Sequence, residues 1–101
     1  MIDKRQFYIG GQWVDPLSPD DHAVINPATE EAVATISMGR TADIDRAVAA
    51  AHAAFPGWAA TAPAERRALA EKLLAIYRAR YEEMVQAITL ELGAPLTMCR
   101  D

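Results

Sequence analysis

Ala23-Val24-Ile25-Asn26-Pro27-Ala28-Thr29-Glu30-Glu31-Ala32-Val33-Ala34-Thr35-Ile36-Ser37-Met38 is the stretch on which the fold turns. Two short apolar, partly β-branched runs flank a polar hexapeptide, and β-branched side chains suit the pleated, half-buried surface of a sheet. Asn26-Pro27 ends the first arm, because proline has no N–H to give to a strand ladder. Ala32 to Met38 forms the second arm, with Ala32, Ala34, Ile36 and Met38 on one face and Val33, Thr35 and Ser37 on the other. Gly39 closes that strand, so the stretch reads as a β-hairpin.

Toward the amino terminus a smaller hairpin is expected. Phe7 and Ile9 alternate with Gln6 and Tyr8, and Gly10-Gly11 separates them from Gln12-Trp13-Val14. Paired glycines suit the positive φ angles of a two-residue turn. Asp15 to Asp21 carries two prolines, a serine and three aspartates, a composition that favours a loop. Residues 1–39 therefore form a region of β-hairpins.

Toward the carboxyl terminus the period changes to that of helices. Thr41 is a suitable N-cap, and Asp43 and Asp45 lie near the positive end of the helix dipole. Ile44, Val48, Ala51 and Phe55 recur at helical spacing among alanines. Pro56 disfavours helical geometry at Phe55, which predicts an Ala-rich helix over 41–55 and a corner at Phe55-Pro56-Gly57-Trp58. Pro63 is placed as a first-turn proline, with Glu65 just behind it. A stripe of Leu69, Leu73, Ile76, Tyr77, Tyr81, Met84, Val85, Ile88 and Leu92 follows, ended by Gly93 and Pro95. The region 63–93 is thus helical, either as one long helix or as two broken near Arg80.

At 101 residues the chain is at most one domain, and its 51% hydrophobic content is that of a globular protein. Many of those residues are alanines, which bury little area each, so the core is expected to be thin. The net charge is -4 and the basic residues are scattered, which argues against a nucleic-acid partner. The start leads into no apolar targeting segment, and no run is long enough to span a bilayer, so a soluble, cytoplasmic chain is expected. Cys99 is the sole cysteine and cannot form an internal disulfide. His22 and His52 are isolated, without ligands at metal spacing. Trp13, Trp58 and the tyrosines read as core or interface packing.

Four features in order carry a resemblance to a family. They are Phe7-Tyr8-Ile9-Gly10-Gly11-Gln12-Trp13, Asn26-Pro27-Ala28-Thr29 before a second strand, the Ala-rich run ending in Phe55-Pro56-Gly57-Trp58, and Glu65-Arg66-Arg67 leading to Glu91-Leu92-Gly93-Ala94-Pro95. Each alone is ordinary turn and cap chemistry. Together they resemble the N-terminal segment of the NAD(P)-dependent aldehyde dehydrogenase superfamily, over essentially the whole chain. The resemblance implies an α/β parent, with this segment in the Rossmann-like cofactor-binding domain. The segment itself reads α+β, two hairpins followed by helices.

By the same resemblance, the parent enzyme oxidises an aldehyde to a carboxylic acid with NAD or NADP. A cysteine thiolate attacks, hydride passes to the nicotinamide, and the thioester is hydrolysed. The implied partners are the remainder of the subunit and a small aldehyde substrate, with homo-oligomerisation at full length. No catalytic or cofactor-binding residue can be placed in this chain, which is expected to be scaffolding and inactive alone. Cys99 lies in Thr97-Met98-Cys99-Arg100, unlike the family's Gly-Gln-x-Cys context, and reads as a structural thiol. Leu90-Glu91-Leu92-Gly93 imitates the segment around the family's general base, but Ala94-Pro95 follows where Gly-Lys is required. It matches a helix-terminal Glu-x-Gly-x-Pro instead.

One site is implied by the resemblance. Some members hold sodium or potassium with backbone carbonyls just before the Asn-Pro pair and an acidic residue two positions before the helix-ending glycine. Those positions are Val24, Ile25 and Glu91 here, and oxygen donors suit a hard cation. Two rival functions are carried forward. The first is a self-standing interaction module that presents the stripe of Pro63 to Leu92 to a protein partner. The second is an acylating or semialdehyde-specific member of the same superfamily.

Overall fold

The computed structural model describes residues 1–100, so Asp101, the last residue of the expected 1–101 segment, lies outside the described residues. The chain divides into two compact units. One holds Met1–Ile25 and Ala32–Ala59, the other Asn26–Glu31 and the residues from Ala60 onward.

In the first unit, β1 (Ile2–Lys4), β2 (Phe7–Ile9), β3 (Gln12–Val14), β4 (Asp21–Ile25) and β5 (Ala32–Ser37) precede the helix α1 (Thr41–Ala59). β2 and β3 are antiparallel, with Ile9 opposite Gln12 across the Gly10-Gly11 turn. Both glycines have positive φ, +61° and +79°, the backbone that a two-residue turn of this hand requires. β4 and β5 are antiparallel from Asp21↔Ser37 to Ile25↔Ala32, with an irregularity between Val24 and Ile25. The ladder is extended by the Met38 N–H, which donates to the Asp20 carbonyl at 2.8 Å.

β1 was not anticipated. It joins the other edge of β5 in parallel, Ile2 opposite Ala34 and Lys4 opposite Ile36, giving the order β1-β5-β4. All three of its residues are exposed, so it carries no alternation of apolar and polar positions for a sequence reading to detect. Its pairing is set by the free edge of β5. Central placement explains why β5 holds the buried positions Ala34 and Ser37.

α1 corrects two expectations. Arg40, not Thr41, occupies the N-cap: its carbonyl accepts from the N–H groups of Asp43 (2.9 Å) and Ile44 (3.1 Å). The helix also runs beyond 41–55, through Pro56 to Ala59, so Phe55-Pro56-Gly57-Trp58 is its last turn and not a corner. A proline removes one i→i−4 hydrogen bond and crowds the preceding turn, but it does not forbid continuation. The alanines ahead of it are the strongest helix formers, and they hold α1 through that defect.

The second unit contains α2 (Pro63–Ala79), α3 (Tyr81–Leu92) and the short α4 (Leu96–Cys99). Pro63 sits at the start of α2, where its missing N–H costs nothing. Ala62, the N-cap, has no side-chain acceptor. Glu65 reaches back to accept from the Ala62 N–H at 3.0 Å, half of a capping box.

Arg80 resolves the choice over 63–93 in favour of two helices. With φ -107° and ψ 14° it ends α2 and begins α3. Its N–H is shared between the carbonyls of Ile76 and Tyr77, both at 3.1 Å. Its guanidinium grips the Glu83 carboxylate at 2.7 to 3.1 Å, and the rings of Tyr77 and Tyr81 meet edge-on at 5.8 Å across the joint. No glycine or proline marks the break, which is why sequence left both options open. Val85 on α3 is fully buried. No helix among the described residues is long and apolar enough to cross a membrane.

Candidate functional site

Val24 and Ile25 end the edge strand β4 in the first unit, and the ladder to β5 is irregular between them. Glu91 lies in the last turn of α3 in the second unit, exposed, two residues before Gly93. Each residue thus occupies the local setting that the sequence suggested, a strand end and a helix end. Among the described residues, no group of three or more His, Cys, Asp and Glu side chains is arranged to hold a metal ion.

The hexapeptide Asn26–Glu31 is a self-braced turn. The Asn26 N–H donates to the Glu31 carbonyl at 2.9 Å, and the Glu30 N–H to the Asn26 carbonyl at 2.8 Å. The Asn26 side-chain oxygen accepts from the Ala28 N–H at 2.9 Å, the local Asx geometry that makes asparagine a turn residue. Glu30 takes φ 60°, an uncommon angle for a side-chain-bearing residue, and the surrounding bonds hold it there.

Within the same unit, Gly93 closes α3 in the left-handed conformation, φ 77°, and its N–H donates to the Thr89 carbonyl at 3.0 Å. A Cβ added there would stand 2.8 Å from Cγ of Pro27. The glycine in Leu90-Glu91-Leu92-Gly93 is therefore demanded twice, by its backbone angle and by the proline against it.

Cys99 is half-buried in the α3–α4 corner. Its Sγ accepts from the Thr89 hydroxyl at 3.4 Å and donates to the Ala94 carbonyl at 3.6 Å. Beside it, Arg100 pairs with Glu82 at 2.8 Å, and the Tyr81 hydroxyl donates to the Arg100 carbonyl at 3.0 Å. The Arg100 guanidinium, helped by Gln86, holds the Glu82 carboxyl below its usual range.

The sequence reading missed the role of the one acid that is buried among the described residues. Asp43 is 3% exposed, and its carboxylate accepts from the Leu17 N–H (2.9 Å), the Arg40 N–H (3.2 Å) and the Arg46 guanidinium (3.5 Å). The Leu17 N–H contributes most to holding this carboxyl below its ordinary range, with Arg40 and Arg46 adding to it against the cost of burial. Arg46 also donates to the Asp15 carbonyl at 3.0 Å. Asp43 and Arg46 together tie the 15–17 loop to the start of α1. Sequence marked Asp43 only as an acid suited to a helix start, and a backbone N–H 26 residues away leaves no trace in a local pattern.

A hollow of about 680 Å³ opens in the first unit and is lined by Asp3, Lys4, Arg5, Gln6, Trp13 and Asp15. Its polar groups largely satisfy one another. Arg5 binds Asp3 at 2.7 Å and Asp21 at 3.3 Å, and Gln6 donates to Asp15 at 3.0 Å. Trp13 stacks obliquely on Tyr8, ring centres 5.1 Å apart, and both residues stay exposed instead of entering a core. Nothing here pairs a nucleophile with a base, and no glycine-rich phosphate cradle is present among the described residues.

Comparison with known proteins supplies what the local geometry lacks. Residues 13–101 match the model of the aldehyde dehydrogenase family. A 3-succinoylsemialdehyde-pyridine dehydrogenase of a Pseudomonas species is 46% identical over 96 residues, 95% of this chain and 20% of that protein. The crystal structure of an aldehyde dehydrogenase from Bartonella henselae superposes with a TM-score of 0.96 at 49% identity, covering 98% of this chain and 21% of the other. That of aldehyde dehydrogenase C from Pseudomonas syringae, in complex with NAD+ and octanal, superposes at 0.93 with 50% identity, covering 95% and 20%. The chain spans about a fifth of the length of the relatives it matches.

Proposed function

The chain belongs to the aldehyde dehydrogenase family, as the N-terminal segment of its α/β fold, and from that premise we propose that it serves as scaffolding in an enzyme that oxidises an aldehyde to a carboxylic acid with a nicotinamide dinucleotide. The observation that carries the reading is near-complete superposition on one fifth of a solved dehydrogenase at 49% identity. NAD is favoured over NADP, because the similar enzyme from Pseudomonas syringae was solved with NAD+. The chemistry that a bound nicotinamide dinucleotide would supply in the parent enzyme is acceptance of hydride. This chain's own residues have a different task. They form the ribbons and helices against which the rest of the subunit packs, and none is assigned a chemical step.

The reading has two arms that can fail separately. The full-length gene product should form NADH in an aldehyde-dependent manner, and failure with a broad aldehyde panel would overturn the activity. The 101-residue chain alone should form none, and detectable turnover by it would overturn the scaffolding role. The remainder of the subunit is its principal partner in this proposal, with homo-oligomerisation and a cytoplasmic location proposed for the full-length enzyme.

Similarity to a semialdehyde dehydrogenase favours a second reading within the family, a substrate with a polar group beyond the aldehyde. Comparing kcat/KM for succinic semialdehyde and octanal in the full-length enzyme would discriminate the two. A monovalent cation is also proposed for the carbonyls of Val24 and Ile25 and the carboxylate of Glu91. The support for it is the resemblance together with the position of Val24 and Ile25 at the end of the edge strand β4, where the ladder to β5 is irregular. If sodium, potassium and a bulky organic cation give the full-length enzyme identical stability and activity, this assignment fails.

A further inference from the structure

We draw no further inference here: the strongest candidate, the open apolar groove of about 230 Å³ along α2 and the start of α3 lined by Leu73, Ile76, Tyr77, Arg80, Glu83 and Met84, carries nothing because nothing in the structure shows what covers it.

Discussion

Gly93 and Gly11 share nearly the same backbone angle, φ +77° and +79°, and differ in what surrounds them. A Cβ at Gly11 would meet nothing within 4 Å, whereas at Gly93 it would strike Pro27. Gly11→Ala should therefore cost only left-handed strain, roughly 1–2 kcal/mol, and Gly93→Ala distinctly more. In a Pro27→Ala background the penalty at Gly93 should fall toward the Gly11 value, a coupling that a double-mutant cycle in urea reads directly. Equal losses at both glycines would show that the proline contact does not matter. Sequence could place Gly93 as a helix stop, but it could not show the proline pressed against it 66 positions away. Asp43 was illegible for the same reason, and its role is testable by pH. Its folded-state pKa lies below the ordinary 3.8, so the stability it adds is present above that value and is lost as pH falls through the depressed one. Asp43→Asn should thus lower the urea midpoint at neutral pH, with the gap to the parent chain closing below about pH 4. An unchanged gap at about pH 3 would contradict this account.

Elements were legible where local chemistry decides them and illegible where a neighbour does. The Gly10-Gly11 hairpin, the β4–β5 pair, the start of α2 at Pro63 and the end of α3 at Gly93 all follow from turn and cap residues. β1 has no such signature, because what orders Ile2–Lys4 is the free edge of a strand some thirty positions later. α1 shows the opposite error, a local breaker given too much weight: Pro56 marked a boundary that the alanine body overrides. The defect nevertheless has an energetic cost. Replacing Pro56 with alanine restores one backbone hydrogen bond and relieves crowding, worth about 3 kcal/mol, less up to about 1 kcal/mol for the freer unfolded chain. Pro56→Ala should raise stability by about 2 kcal/mol in urea followed by circular dichroism, and a loss would mean that the proline is needed where it stands. By contrast, Arg67 and Glu71 are paired at 2.8 Å with both side chains mostly in water. Arg67→Ala should change stability by less than about 0.5 kcal/mol, because exposed pairs are screened and entropically costly.

At the scale of the molecule the sequence disclosed a family but no reaction, since no motif in it marks a nucleophile, a general base or a dinucleotide cradle. The distribution of apolar surface bears on the scaffolding role proposed above. Ala34 and Val85 are the buried hydrophobic residues among those described, a thin core of the kind an alanine-rich composition implies. Leu69 is 52% exposed, Leu73 69% and Leu92 71%, and Phe55, Ile76, Tyr77 and Met84 are also exposed. On α2, Leu69, Leu73, Ile76 and Tyr77 recur at helical spacing, and an exposed apolar stripe of this sort marks a face made to be covered. In solved relatives of which this chain spans a fifth, four fifths of the protein is available to cover it. Leu73 then supplies a measurement that separates a buttress from a self-sufficient module. In the 101-residue chain Leu73→Ala removes a side chain already in water and introduces a better helix former, so stability should change by less than about 0.5 kcal/mol and binding of a hydrophobic dye should fall. In the full-length subunit the same substitution should cost roughly 2–5 kcal/mol, the range for emptying a packed leucine site. A small effect in both settings would mean that this face stays open in the enzyme, and the scaffolding role would have to be abandoned for α2.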